Sequence, residues 1–246
     1  MRPRLKSVYF CPPCDKQYAR LARVLEYSAR MHCPTWDINV QRIAPTTLRA
    51  ASRSESHAAN NWKLEHWCSA VQLAPDGARV LLVDADTFVT GNLDPLWDLD
   101  FDFAYTARDA TRFPLNGGVV ALRSSKASRS FMRLWLERDR EFMRNDAAHR
   151  PWRKLYGGMN QASLGSLLET GSALTSWLNV AALPCLEWNC EDTCWDRFDP
   201  AVTKIVHVKS ALRMAVFNLA SSAHVARLTR AWKDLDRAAT AAGSMV

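Results

Sequence analysis

A continuous aliphatic and β-branched stretch, Arg79-Val80-Leu81-Leu82-Val83, is too short for a helix and has no polar face, so it predicts a strand buried on both sides. It gives way at once to Asp84-Ala85-Asp86, after which Thr87-Phe88-Val89 resumes an extended pattern. Gly91-Asn92 reads as a turn, and Leu93, Leu96 and Trp97 around Pro95 as one apolar helical turn. Upstream, residues 7–10 read as a short buried strand. Residues 11–17 form a loop, because Pro12 and Pro13 forbid a ladder there. Apolar positions at Tyr18, Leu21, Ala22, Leu25 and Ala29 predict a helix over 18–32, and residues 38–43 alternate like a second strand. This β-loop-α-β order opens a nucleotide-binding α/β unit. Residues 46–57 are polar and read as a loop. Residues 61–72 read as a helix carrying Trp62, Leu64, Trp67, Cys68 and Val71, and Pro75-Asp76-Gly77 turns the chain into the central strand.

Beyond it, residues 101–106 predict a strand. Pro114-Leu115-Asn116-Gly117-Gly118 reads as a loop feeding a strand through Leu122, its two glycines marking backbone that approaches something closely. Residues 128–143 are an amphipathic helix, 145–156 a basic loop, and 157–168 a helix capped by Asn160. Residues 178–183 hold short extended pieces, 185–195 an irregular segment rich in Trp and Cys, and 204–208 a last short strand ending near His207. Val225, Leu228, Trp232 and Leu235 share one face of a helix over 220–239, with Ser221 or Ser222 as cap. Without internal repeats or a linker, residues 1–246 read as one domain.

The chemistry concentrates where the central strand ends. Asp84 and Asp86 stand at i and i+2, and in an extended backbone they point the same way. Two carboxylates held together need a cation, and a hard divalent ion shared with a phosphate is the natural partner. The plainer alternative is an Asp-x-Asp loop cap. The carboxyl end of a parallel strand is where open α/β sheets bind ligands, which favours the first reading.

Composition narrows the class. With 48% hydrophobic and 23% charged residues, the 246-residue chain is that of an ordinary globular protein with a sizeable core. No apolar run reaches the roughly 20 residues that cross a bilayer. The basic N-terminus lacks an apolar segment after it, so a cytoplasmic location is expected. Seven cysteines, unevenly spaced, argue against a disulfide framework. Cys11-x-x-Cys14 and Cys190-x-x-x-Cys194, with Cys185, are either free thiols or a zinc site. A net charge of +7, denser over 144–154 and 204–213, fits a solvated surface or an anionic partner.

With these pieces in order, the chain resembles the GT-A glycosyltransferases, and within them glycosyltransferase family 8, the group of glycogenin and bacterial lipooligosaccharide galactosyltransferases. The carriers are the Asp-x-Asp strand with its Leu-Asp-Pro-Leu-Trp turn, Phe10 through Asp15 and Tyr18, Lys63-Leu64-Glu65, Asn116-Gly117-Gly118-Val119, Asn160-Gln161, and His207 through Arg213. Asn61 stands where the family often has Arg, Asn160 where it has Asp, Ser210 where it has Gly and Arg213 where it has Lys. The resemblance implies a single Rossmann-like α/β domain of the nucleotide-diphospho-sugar transferase type, with a mixed, mainly parallel sheet flanked by helices. Its nucleotide-sugar-binding half would cover about 1–115, an acceptor half with the third metal ligand about 116–217, and a C-terminal helix about 220–240.

The activity it implies is metal-dependent transfer of a sugar from a nucleotide sugar, by family habit a UDP-sugar, to an acceptor hydroxyl. Mn²⁺ (or Mg²⁺) would be held by Asp84, Asp86 and His207. Phe10, Asp15, Tyr18, Lys63, Asp84, Ala85, Asn116, Gly117, Lys209, Ser210 and Arg213 would bind the donor. Lys209 and Arg213 would grip the diphosphate, Tyr18 would stack on the base, and Asp109, Asn116 and Gln161 would read sugar hydroxyls. Asp109 and Gln161 are the catalytic candidates, with Glu187 and Asp192 as further candidate bases and a retaining displacement as the expected route. Each also has a plainer reading: strand-end histidine, surface cation, core tyrosine. The acceptor is a surface glycan or, through the basic 144–154 segment with Trp152, a hydroxymethylated base in phage DNA. A nucleotidyltransferase on a related fold lacks its glycine-rich loop here, and a non-catalytic nucleic-acid-binding protein leaves Asp84, Asp86 and His207 without a role.

Overall fold

The computed structural model describes residues 2–10, 17–43, 55–110, 112–170, 177–220 and 222–243. In chain order the elements are β1 (Arg4–Phe10), α1 (Gln17–His32), β2 (Asp37–Ile43), α2 (Glu55–Leu73), β3 (Arg79–Val83), β4 (Thr87–Val89), β5 (Phe103–Ala107) and β6 (Leu115–Arg123). There follow α3 (Lys126–Arg144), α4 (Asp146–Tyr156), α5 (Met159–Thr170), β7 (Val180–Pro184), α6 (Cys185–Trp188), β8 (Ile205–His207), α7 (Ser210–Val216) and α8 (Ala226–Ala241). Six strands form the main sheet in the order β2-β1-β3-β6-β5-β7. β1 pairs parallel with β2 and β3, and β5 parallel with β7, while β6 runs antiparallel to both neighbours. The sheet is therefore mixed and mainly parallel.

The aliphatic run of β3 is continuous because both faces are covered. Val80 and Leu82 pack with Leu64, Trp67, Phe103 and Trp135, whereas Leu81 and Val83 pack with Leu5, Leu25, Leu96 and Trp97. Burying each such side chain contributes about 1.5–3 kcal/mol. The C-terminal helix α8 docks on α1 through Trp232 and Leu228, and Asp236 accepts hydrogen bonds from Arg20 Nε at 2.8 Å and Arg23 Nη2 at 3.0 Å.

A separate two-stranded ribbon, β4 against β8, is what builds the site. Its antiparallel register sets Thr87 opposite His207 and Val89 opposite Ile205. β4 follows the Asp-x-Asp directly, so a strand more than a hundred residues later in the sequence is brought to the end of β3.

Several sequence expectations change. The basic segment after α3 is a helix, α4, not a loop: the Asn145 side chain accepts from the Ala148 N–H at 3.1 Å and caps it, and His149 and Tyr156 turn inward. Helix α2 already includes residues 55–57, expected as loop; residues 46–54 lie outside the described residues. Asn160 is not a cap but lies within α5, its Nδ2 donating to the Asn60 carbonyl at 2.9 Å. Asn116, Gly117 and Gly118 belong to β6 itself. The Trp- and Cys-rich segment contains the helical turn α6 and a 3₁₀ turn at Trp195–Arg197. α7 was not expected; it starts at Ser210, whose φ of 45° breaks the extended run of β8. No helix among the described residues is long and apolar enough to cross a membrane.

Candidate metal and donor site

Two backbone hydrogen bonds fix the turn at the end of β3. The Asp84 N–H donates to the Gly118 carbonyl at 2.7 Å, and the Val208 N–H donates to the Asp86 carbonyl at 2.6 Å. Thr87 Oγ1 closes the turn by donating to the Asp84 carbonyl at 2.8 Å. His207 Nε2 then lies 3.3 Å from Asp86 Oδ1 and 4.0 Å from Asp84 Oδ2. One ligand atom from each of the three residues falls within 4.8 Å of the others. Among the described residues no other His, Cys, Asp and Glu side chains gather in this way.

The donor set fits a divalent ion. Carboxylate oxygens suit Mg²⁺ and Mn²⁺ alike, and the imidazole adds a nitrogen donor that first-row transition ions accept. The cluster also has a cradle. A Cβ built on Gly118 would stand 2.6 Å from His207 Cε1 and 2.9 Å from Asp84 Oδ2. Only a glycine lets the two ligand side chains lie against this strand.

Each carboxylate already has a cation. Lys63 Nζ lies 2.5 Å from Asp84 Oδ1 and 4.7 Å from the centroid of the Trp67 ring. Arg213 donates from Nη2 to Asp86 Oδ2 and from Nη1 to the Tyr18 hydroxyl at 3.2 Å, with its guanidinium 5.1 Å from the Tyr18 ring centroid. Burial works to raise the Asp86 pKa, but His207, Arg213 and Lys63 outweigh it and hold it at about 2. Burial, with the Asp86 charge beside it, raises the Tyr18 phenol.

No family model and no curated protein matches the sequence. The solved structures it matches include glycosyltransferases. Across 96% of this chain and 95% of the other, the chain superposes on the galactosyltransferase LgtC, solved with donor and acceptor sugar analogs, at a TM-score of 0.60 and 13% identity. A glycosyltransferase that takes part in glycosylating the major capsid of PBCV-1 matches over 87% of this chain and 96% of its own, at a TM-score of 0.57 and 15% identity. GlyE of Streptococcus pneumoniae TIGR4 matches at 0.60 and 14%; the chain covers 96% of itself but 60% of GlyE. The chain has a GT-A glycosyltransferase fold. The fold expected from the sequence is thus borne out.

Within the GT-A frame the expected donor residues divide. Tyr18, Lys63, Asp84, Ala85, Asp86, His207 and Arg213 converge. Lys209, expected to grip a diphosphate, instead spends its ammonium on acids: it contacts Glu191 Oε2 and lies 3.1 Å from Asp192 Oδ1. Glu191 is fully buried and also meets Arg108 Nη2 at 2.9 Å. Asp192, a candidate base, is held well below the usual carboxylate range: burial opposes this, but hydrogen bonding within its segment and Lys209 prevail. Ser210 Oγ donates to Asp192 at 3.2 Å. Asn116 spends its Oδ1 on the Gly118 N–H at 2.8 Å, and Gln161 spends its Nε2 on the Tyr156 carbonyl at 2.7 Å. A Cβ on Gly117 would meet Gln161 Cγ at 3.5 Å, so Gly117 faces Gln161 while Gly118 faces His207. Asp109 is exposed after β5, and Glu187 is half-buried in α6. Asp15, Cys11 and Cys14 lie outside the described residues, as does the Phe10 side chain. Cys190 and Cys194 Sγ lie 3.7 Å apart, and among the described residues no further ligand joins them to make a zinc group.

Two buried polar residues carry no sequence signal: Glu191, paired with Lys209 and Arg108, and Asn189, whose Oδ1 lies 3.1 Å from His207 Nδ1. A lone Asn after a Trp carries no periodic signal, and only its position beside His207 gives it meaning.

Proposed function

We propose that this protein transfers a sugar from a nucleotide sugar, by preference a UDP-sugar, to an acceptor hydroxyl, with a divalent cation held by Asp84, Asp86 and His207. The observation that carries this reading is the meeting of those three side chains at the carboxyl end of a central strand, where open α/β sheets bind ligands. When bound, the ion supplies positive charge against the charge that develops on the departing diphosphate. Lys63 and Arg213 neutralise the carboxylates until an anionic donor arrives, and then turn to its phosphate oxygens. The planar fork of Arg213 can serve two oxygens at once, which a lysine cannot. Tyr18 offers a flat face to the base, and the bare backbone of Gly117 beside Gln161 admits the sugar. Gln161 and Asn116 are the sugar-reading groups of this reading.

In the retaining route the bond from the anomeric carbon to the phosphate oxygen breaks, and its electron pair leaves with the diphosphate. The acceptor oxygen bonds to the same face, and its proton passes to the leaving phosphate oxygen. The proposed acceptor is a glycan hydroxyl.

A thermal-shift panel of nucleoside diphosphates and nucleotide sugars with Mn²⁺ tests this. A donor at a hundred times its dissociation constant adds about 2.7 kcal/mol, which in a chain of this size raises Tm by roughly 5–10 °C. The Asp86→Ala variant should lose that shift and donor hydrolysis while keeping its fold. If no nucleotide stabilises the protein with Mn²⁺, or Asp86→Ala responds like the wild type, the proposal fails. Tight, salt-dependent binding to duplex DNA would move the acceptor from glycan to nucleic acid.

A further inference from the structure

His207 has two ring nitrogens, and only one can face the carboxylates. Which nitrogen carries a proton in the neutral ring is set by the partner of the other. Here Nε2 faces Asp86 and Asp84, and Nδ1 faces Asn189 Oδ1 at 3.1 Å. An amide can present either its oxygen or its nitrogen, so the rest of the network decides the roles. Asn189 Nδ2 is 2.9 Å from Thr106 Oγ1, and Thr106 Oγ1 gives its single proton to the Asn116 carbonyl at 2.8 Å. The Thr106 hydroxyl must therefore accept from Asn189. That leaves the amide nitrogen of Asn189 on Thr106 and its oxygen on His207, so His207 Nδ1 is the donor.

The fold holds this arrangement rigid. Asn189, Thr106, Asn116 and His207 are all buried. The Asn189 N–H caps α6 by donating to the Cys185 carbonyl at 2.9 Å. Its neighbour Cys190 pairs with β8, with Cys190 N donating to the Ile205 carbonyl at 2.9 Å and His207 N to the Cys190 carbonyl at 2.8 Å. Asn116, which receives the Thr106 proton, also receives the Gly118 N–H, and the Gly118 carbonyl receives the Asp84 N–H. One hydrogen-bonded circuit thus runs from His207 through Asn189, Thr106, Asn116 and Gly118 to Asp84.

We propose that Asn189, oriented by Thr106, is a positioning residue that holds a proton on His207 Nδ1, so that Nε2 is the nitrogen whose lone pair a cation entering between Asp84 and Asp86 would meet. The inference rests on the reading of His207 as a ligand for its purpose, but not for its geometry. An Nε2–H ring would meet a cation with a proton; an Nδ1–H ring meets it with a lone pair.

The test needs no turnover. Long-range ¹H–¹⁵N spectra of the ¹⁵N-histidine-labelled full chain at about pH 8.5 report the tautomer of each ring. In the wild type His207 Nδ1 should carry a proton, whether or not Nε2, beside Asp86, carries one as well. Asn189→Leu should shift it to the Nε2–H form that solvated imidazole prefers, and Thr106→Val should shift it in part. Thr106→Ser, which restores the hydroxyl, should match the wild type. Mn²⁺ affinity, read by electron paramagnetic resonance of the free ion, should fall about 10–100-fold in Asn189→Leu and not in Thr106→Ser. A wild-type ring protonated on Nε2 alone overturns the proposal without any variant being made. So does an unchanged ring in a folded Asn189→Leu or Thr106→Val. If the tautomer shifts as stated but the wild type binds no Mn²⁺, the positioning role of Asn189 stands and the metal-dependent function falls.

Discussion

Replacing Gly118 with alanine should damage the Asp84, Asp86 and His207 cluster more than the fold. The new methyl carbon would stand 2.6 Å from His207 Cε1 and 2.9 Å from both His207 Nδ1 and Asp84 Oδ2. Carbon contacts are most favourable at about 3.5–4.0 Å, so His207 must retreat by roughly 1 Å or the strand must yield. The strand has little room: the Gly118 N–H and carbonyl are bonded to Asn116 and Asp84, and Val119 and Val120 beyond it are fully buried. The backbone is not the obstacle, since Gly118 is not among the positive-φ glycines. Overpacking of this kind costs about 1–3 kcal/mol, which in a chain of this size lowers Tm by roughly 2–12 °C. Because His207 carries the displacement, Mn²⁺ affinity should fall about 10–100-fold, as it does when a ligand loses its support. Gly158→Ala is the control, because a Cβ there meets nothing within 4 Å. Calorimetric titration with Mn²⁺ and a melting curve on both variants suffice. If Gly118→Ala binds Mn²⁺ within about twofold of the wild type, the cradle argument is wrong.

Three further outcomes follow from buried charge. Arg213→Met removes the cation that competes for Asp86; a hydrogen bond to a charged group is worth about 1.5–3 kcal/mol, so Mn²⁺ should bind about tenfold or more tightly without nucleotide, while nucleoside diphosphates bind more weakly. Unchanged binding of both would refute the competition. Burial raises the Asp139 pKa from 3.8 to about 6, despite hydrogen bonds from Asn61 and Ser163. A raised folded pKa means stability is full below the unfolded value and lost as pH rises through the folded one, here about 3 kcal/mol between about pH 4 and pH 6. Urea unfolding of Asp139→Asn should show that loss flattened, and an equally steep loss would count against a buried, raised carboxyl. Asp236 has the opposite sign: burial would raise its pKa, but Arg20 and Arg23 outweigh it and lower it, so its contribution is present above the ordinary carboxylate range and lost as pH falls. Asp236→Asn should cost about 1.5–3 kcal/mol at neutral pH by loosening α8 from α1, and a melting curve equal to the wild type would contradict this.

What could be read from the sequence depended on how local its cause was. β3 was legible in its bounds because both faces of one strand are apolar, and α1 because its buried stripe repeats at helical spacing. α4 reads as a basic loop because, although His149, Trp152 and Tyr156 sit at helical spacing, the charges between them and Pro151 hide the pattern. α7 was missed because its first residue, Ser210, takes a left-handed φ where the resemblance expects glycine. His207 was found through spacing and resemblance, yet the reason it reaches Asp86 is the β4–β8 ribbon, which pairs residues 120 apart in sequence and leaves no local trace. Asn189, Thr106 and Glu191 lay beyond sequence reasoning for the same cause: each acts through a partner supplied by another element.

That difference also separates Lys209 from Arg213, two cations the sequence placed in one role. Lys209 faces two acids of the 189–194 segment, and one of them, Glu191, is fully buried and shared with Arg108. Withdrawing the Lys209 ammonium would leave part of a buried negative charge unmatched, which costs several kcal/mol, so Lys209 is bound to the scaffold that carries Asn189. Arg213 faces Asp86, and Lys63 faces Asp84, the two carboxylates that a divalent ion would neutralise in their place. Their release leaves no charge unmatched once an ion and a diphosphate enter together. Two carboxylates with two cations sum to zero, and so do the two carboxylates, the two cations, a divalent ion and a doubly charged diphosphate ester. The site can therefore exchange partners without a change in net charge, and the side chains able to make that exchange are Lys63 and Arg213.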